Sequence, residues 1–177
     1  MDVFVEYLVK RQGSPADTMK KAGLVLGAAL LTLLLLAAAP FLGPFSFFAI
    51  MGACGAAFGG YYLVTSLNVE YEYIMTNHEI DVDKIVAQRK RKRLVTADVS
   101  TFERFCPYNP QEHNAGDYDN CVMACIAPDA PQTYCAVFQH HTLGRTLLVF
   151  NPDDRILEGV KKALPRRNKY HENTDGN

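Results

Sequence analysis

From Ala22 to Val69 the sequence has no aspartate, glutamate, lysine, arginine or histidine, a gap of 48 residues in a chain of 177. Its 18 basic and 19 acidic side chains all lie in the two flanks. A surface helix of a soluble protein carries a polar stripe, so the gap excludes one here. It also excludes a proton relay or ion path through this stretch, which would need ionisable groups. Several reactive patterns are missing as well: there is no Cys-x-x-Cys pair, no Gly-x-Ser-x-Gly, no phosphate-cradling glycine loop and no His-Glu-x-x-His. The common nucleophilic, nucleotide-binding and zinc-hydrolase chemistries therefore have no template, and a non-enzymatic chain without a cofactor is expected.

A lipid bilayer accounts for the gap. One spanning helix takes about 20 apolar residues, so the stretch holds two spans and a turn. Pro40 and Pro44 bracket Phe41-Leu42-Gly43, a cluster that breaks helices. The spans are expected over 22–39 and 45–67, forming a helical hairpin within 22–67. Lys20-Lys21, the leucine-rich run and Ala37-Ala38-Ala39 imitate a cleavable signal. However, Pro40 follows the imitated cut and the apolar run resumes at once. Lys10, Arg11, Lys20 and Lys21 precede the first span, and Lys84 and Arg89 to Arg93 follow the second, while the turn has no positive charge. Basic flanks stay inside, so a multi-pass protein of the cell membrane with both termini cytoplasmic is expected.

Small residues recur at helical spacing: Gly23 and Gly27 in the first span, then Gly52, Gly55, Ala56, Gly59 and Gly60 in the second. They form strips on which a helix backbone can approach closely, either within the hairpin or between copies of the chain. Residues 1–21 form an N-terminal cytoplasmic segment. Within it Val3, Phe4, Tyr7 and Leu8 share a helical face, which fits a short interfacial helix or a polar lead-in cut off by Gly13-Ser14-Pro15.

The period then changes. Val69 to Ile74 alternates, Thr76-Asn77-His78 reads as a turn, and Glu79 to Val86 alternates again, which predicts a β-hairpin. A third strand is expected over about 92–99, followed by a short helical turn with Ser100 and Glu103 at capping-box spacing. Beyond the Pro-, Asn- and Gly-rich loop 107–120 come runs at 121–126, 133–139 and 145–150. Asn151 and Pro152 then read as the start of an amphipathic helix through Ile156, Leu157, Val160 and Leu164, ended by Pro165. The domain is placed at 68–165 and a disordered tail at 166–177.

About six or seven strands followed by one helix is the order of a PH-like barrel, an α+β fold. Tyr71-Glu72-Tyr73-Ile74-Met75-Thr76-Asn77, then Glu79 to Ile85, a basic stretch and Val99 to Phe105, resemble the bacterial membrane-attached versions of this fold. The resemblance spans about residues 2–165 and is to a family of small bacterial membrane proteins of unknown function. It implies the fold and membrane attachment, and no reaction.

The densest functional candidate is Arg89-Lys90-Arg91-Lys92-Arg93. Near an anionic leaflet each cation contributes about 1 kcal/mol, which points to lipid headgroups. The alternative is a solvated edge strand whose charges discourage aggregation. Nucleic acid is not an expected partner, since 16 acidic against 14 basic residues from Glu70 onward leave that part net negative. A protein partner or a second copy of the chain remains open. Among the cysteines, Cys121 and Cys125 on one strand would lie roughly 13 Å apart, too far for shared zinc ligation. Cys54, Cys106, Cys121, Cys125 and Cys135 are therefore expected to be reduced, with no metal site. His140-His141 and the loop bearing His113, Asp117 and Asp119 read as turn chemistry.

Overall fold

Gly13-Ser14-Pro15 starts a helix. In the computed structural model, which describes residues 4–165, Ser14 caps α1 (Pro15–Ala38). Its hydroxyl accepts from Ala16 N, and its own N–H donates to Asp17 Oδ2 at 3.2 Å, a reciprocal box that satisfies two otherwise orphaned donors. A 3-10 segment, Ala39–Phe45, follows and contains Gly43 at φ +53, which only glycine adopts without strain. The second helix, α2, is Ser46–Ser66. By length and composition one helical stretch, Pro15–Ser66, is apolar enough to cross a membrane.

The chain divides into two compact units, Gly13–Val69 and the residues on either side of it. Within the helical unit α1 and α2 face each other along a seam in which Ala49 and Ala53 are buried. A Cβ at Gly60 would lie 2.3 Å from that of Ala28, and one at Gly52 would lie 3.5 Å from Leu35 Cδ1. Lys21 Nζ donates to Asn68 Oδ1 at 2.8 Å.

The other unit is built from two four-stranded sheets. The first has the order β1 (Phe4–Lys10), β2 (Val69–Thr76), β3 (Glu79–Val86), β4 (Lys90–Asp98). The second has the order β5 (Phe102–Pro107), β7 (Tyr134–His140), β8 (Gly144–Phe150), β6 (Asn120–Ala124), with β6 parallel to β8. Tyr73, Met75, Ile80 and Val82 of the first sheet and Phe102, Phe138, Leu148 and Phe150 of the second are fully buried, and Tyr73 meets Phe150 edge-on at 5.7 Å. Ile156 and Val160 of α3 (Asp154–Ala163) add to this core, and Gly159 lets the helix approach Met75. The architecture is α+β as expected, with eight strands among the described residues instead of about six or seven.

Three local expectations are corrected. The N-terminal segment is a strand, not an interfacial helix: Val5, Tyr7 and Val9 oppose Met75, Tyr73 and Tyr71, so its alternation serves the open edge of β2. The turn before β5 is capped by Asp98, whose Oδ1 accepts from Ser100 N at 2.8 Å, and Glu103 lies in the strand that follows. The cap of α3 is Asp153, accepting from Ile156 N at 2.9 Å. Asn151 is instead drawn into the core, because its amide can satisfy two strand ends at once. Oδ1 accepts from Ile126 N at 2.7 Å and Nδ2 donates to Thr133 Oγ1 at 2.8 Å. The tail 166–177, expected to be disordered, and Met1–Val3 lie outside the described residues.

Candidate functional site

The basic run occupies the tip of the β3–β4 hairpin, on an edge strand. Ala87 and Gln88 both take positive φ, and Arg89 N donates to Val86 O at 3.1 Å to close a two-residue turn. Simple alternation would place Arg91 and Arg93 on the core face with Val95 and Ala97. The register shifts instead: Val82 opposes Val95 and Asp83 opposes Arg93, leaving Leu94 as the extra residue of a bulge. The shift turns both arginines onto the outer face, beside the carboxylates of β2 and β3.

There they are neutralised. Arg93 places Nη1 2.7 Å from Asp81 and Nε 2.8 Å from Asp83, and Arg91 pairs with Asp83 at 3.4 Å and with Glu72. Asp83 and Glu72 are buried, so these guanidiniums compensate carboxylates that would otherwise be costly. The hydrogen bond from Arg93 to Asp83 raises the arginine's pKa further. Arg91 and Arg93, two of the five headgroup candidates, thus make ion pairs within the domain while their side chains remain about half exposed.

Lys90 and Lys92 point the other way. In the register Lys92 directly opposes Lys84, and Lys90 opposes Val86, so three lysines share one face of the hairpin tip. Lys90 and Lys92 are exposed, and among the described residues none of the three forms an ion pair. Like charges directly opposite on a sheet are destabilising. Lys84 was not among the residues expected from the sequence; its cross-strand partner is invisible without the register.

The second cluster joins residues far apart in sequence. Cys106 on β5 opposes Cys135 on β7, with the sulfurs 3.2 Å apart across 29 residues of chain. The loop after β5 folds back so that His113 Nε2 lies 3.4 Å from Cys135 Sγ. Its other ring nitrogen, Nδ1, lies 2.7 Å from the Tyr118 hydroxyl, and its ring stacks on Tyr108. The hydrogen bond with Cys135 and the Arg104 guanidinium pull the Cys106 thiol down against its burial, while the same bond and burial push Cys135 up. Burial, then Arg104, lowers the pKa of His113. Spacing in the sequence points to Cys121 and Cys125 and not to this trio, because only strand pairing and the returning loop bring Cys106, Cys135 and His113 together.

The remaining candidates divide. Gly52 and Gly60 lie in the α1–α2 seam; at Gly23, Gly27, Gly55 and Gly59 a Cβ would meet nothing within 4 Å, and Ala56 is half-buried. His140 Nδ1 accepts from Thr142 N and Leu143 N at 3.2 Å, as turn chemistry predicts, whereas Asp119 Oδ2 accepts from Arg145 N at 2.8 Å and so ties its loop to the distant start of β8.

Neither the curated proteins nor the solved structures compared with the chain yield a match. A family model described as a bacterial PH-like domain matches residues 1–169. The chain accordingly belongs to the bacterial PH-like domain family (DUF6106).

Proposed function

We propose that this protein is a non-enzymatic, membrane-anchored module whose PH-like domain docks on anionic lipid headgroups at the inner face of the cell membrane. The observation that carries the reading is the lysine face at the β3–β4 tip: Lys84 against Lys92, with Lys90 beside them. Three cations held together without carboxylate partners gain most from an anionic surface, within a Debye length of about 10 Å.

Two observations support anchoring by two spans. Only 6% of the most apolar window of Pro15–Ser66 is buried, whereas a soluble core helix would be covered. Strands β1 and β2 pair from Phe4↔Thr76 to Lys10↔Glu70. Because these strands precede and follow the helical region, their pairing in one sheet supports an even number of crossings with both termini on one side. The basic flanks make that side cytoplasmic.

The test uses the full chain, because β1 precedes the helices and a domain cut at Glu70 would lack it. Hydrogen exchange is compared after reconstitution into purely zwitterionic vesicles and into vesicles containing phosphatidylglycerol. Amides around residues 84–92 should slow in the anionic vesicles, and Lys84→Ser/Lys90→Ser/Lys92→Ser should abolish the difference. Identical exchange in both lipids would end the docking reading.

A second reading, assembly with another membrane protein or a second copy, is favoured by Gly23, Gly27, Gly55 and Gly59, which the α1–α2 seam leaves unused. In-membrane crosslinking through these positions to one stoichiometric partner would support it.

A further inference from the structure

We infer that Cys106, His113 and Cys135 form a binding site for a thiophilic divalent metal ion, with zinc the best fit. The three ligand atoms all lie within 4.8 Å of one another, the only such group among the described residues. Zinc bonds of about 2.3 Å to sulfur and about 2.0–2.1 Å to nitrogen, arranged tetrahedrally, put neighbouring ligand atoms about 3.5–3.8 Å apart. The observed 3.2 Å between sulfurs and 3.4 Å from sulfur to Nε2 need only a few tenths of an ångström of expansion.

The surroundings of the trio suit a ligand set better than a packed core. Histidines that bind metals usually engage the second ring nitrogen in a hydrogen bond that fixes tautomer and orientation. Tyr118 does this at Nδ1 of His113, and Tyr108 stacks on the ring, so Nε2 stays directed at the sulfurs. Cys135 is fully buried and Cys106 nearly so, while His113 is half-buried and offers a route inward. Arg104 stands close enough to stabilise negative charge on Cys106. Two strands and one loop would be tied by the ion, and the three protein ligands leave a fourth position for water or an external group.

A Cys106–Cys135 disulfide is the rival chemistry. It would leave the imidazole held against sulfur to no purpose, and it requires an oxidising compartment, which the proposed cytoplasmic placement does not provide. Soft thiolate and imidazole ligands without any carboxylate argue against magnesium or calcium.

The test is made on full-length protein purified in mild detergent under reducing conditions, stripped with a chelator and titrated with zinc chloride or cobalt(II) chloride. One zinc per chain is expected by elemental analysis. Cobalt should show thiolate-to-metal charge-transfer absorption with the intense visible bands of a tetrahedral site. Cys106→Ser, Cys135→Ser and His113→Gln should each weaken zinc at least tenfold, and Tyr118→Phe should do so through the ring's orientation. Cys54→Ser and Cys121→Ser should bind as wild type. Should the cysteine variants misfold, His113→Gln and the cobalt spectrum of the unaltered protein still decide. Substoichiometric zinc, cobalt without thiolate absorption, binding unaffected by His113→Gln, or a Cys106–Cys135 disulfide in the reduced preparation would each overturn the inference.

Discussion

Arg93 and Asp83 face each other across β3 and β4, with Nε 2.8 Å from one carboxylate oxygen and Nη2 3.4 Å from the other. The pair exists because Leu94 bulges out of the register and rotates the strand beyond it. Within a row of five cations that reads as one surface, Arg91 and Arg93 satisfy buried acids, whereas Lys90 and Lys92 do not.

Removing Arg93 should therefore cost stability, not only charge. Arg93→Ala leaves Asp83, which is 3% exposed, with only its longer contact to Arg91 at 3.4 Å, and a loss of about 1–3 kcal/mol is expected. Lys90→Ala should change stability by no more than about 0.5 kcal/mol. Denaturant unfolding of the two full-length variants in the same detergent separates them. Equal losses would show that only the summed charge of the run matters.

Asn151 is a second structural anchor. Besides holding Ile126 N and Thr133 Oγ1 through its side chain, its backbone N–H donates to the Tyr73 hydroxyl at 3.3 Å, and that hydroxyl donates to Ala124 O. Asn151→Ala should destabilise the protein by about 1–3 kcal/mol, since a buried donor and acceptor lose their partners. Tyr73→Phe should cost about 1–2 kcal/mol. The double variant should fall short of the sum, because the two groups share one network. Strict additivity in thermal or chemical unfolding would refute the network.

In the helical unit the sign of a glycine substitution should depend on one position. Gly60→Ala drives a methyl into Ala28 and should lower the melting temperature in detergent; Ala28→Gly in the same chain should restore much of it. Gly59→Ala enters open space and should not lower the temperature. A drop at Gly59 as large as at Gly60 would place the seam elsewhere.

Much of the fold can be read without coordinates. Alternation marks Val69–Thr76 and Glu79–Val86, and the 3.6-residue spacing of Ile156, Val160 and Leu164 marks α3, because each pattern depends on neighbours a few residues away. The first strand escapes such a reading. Phe4, Tyr7 and Leu8 satisfy a helical face as well as Val5, Tyr7 and Val9 satisfy a strand, and only the vacant edge of β2 chooses between them. Caps slip for a related reason: Asn151 and Asp153 are both good N-caps, and the core's demand for an amide takes the first.

The amino-acid sequence by itself determined that a long uncharged stretch would be helical and that a β-rich domain with a terminal helix would follow it. Hydrophobicity and period act locally and do not wait for partners. The tertiary structure alone decided which cations stay free and which cysteines meet. Lys84 finds Lys92, and Cys106 finds Cys135 and His113, through strand register, and register is settled by packing between segments that the chain separates by tens of residues.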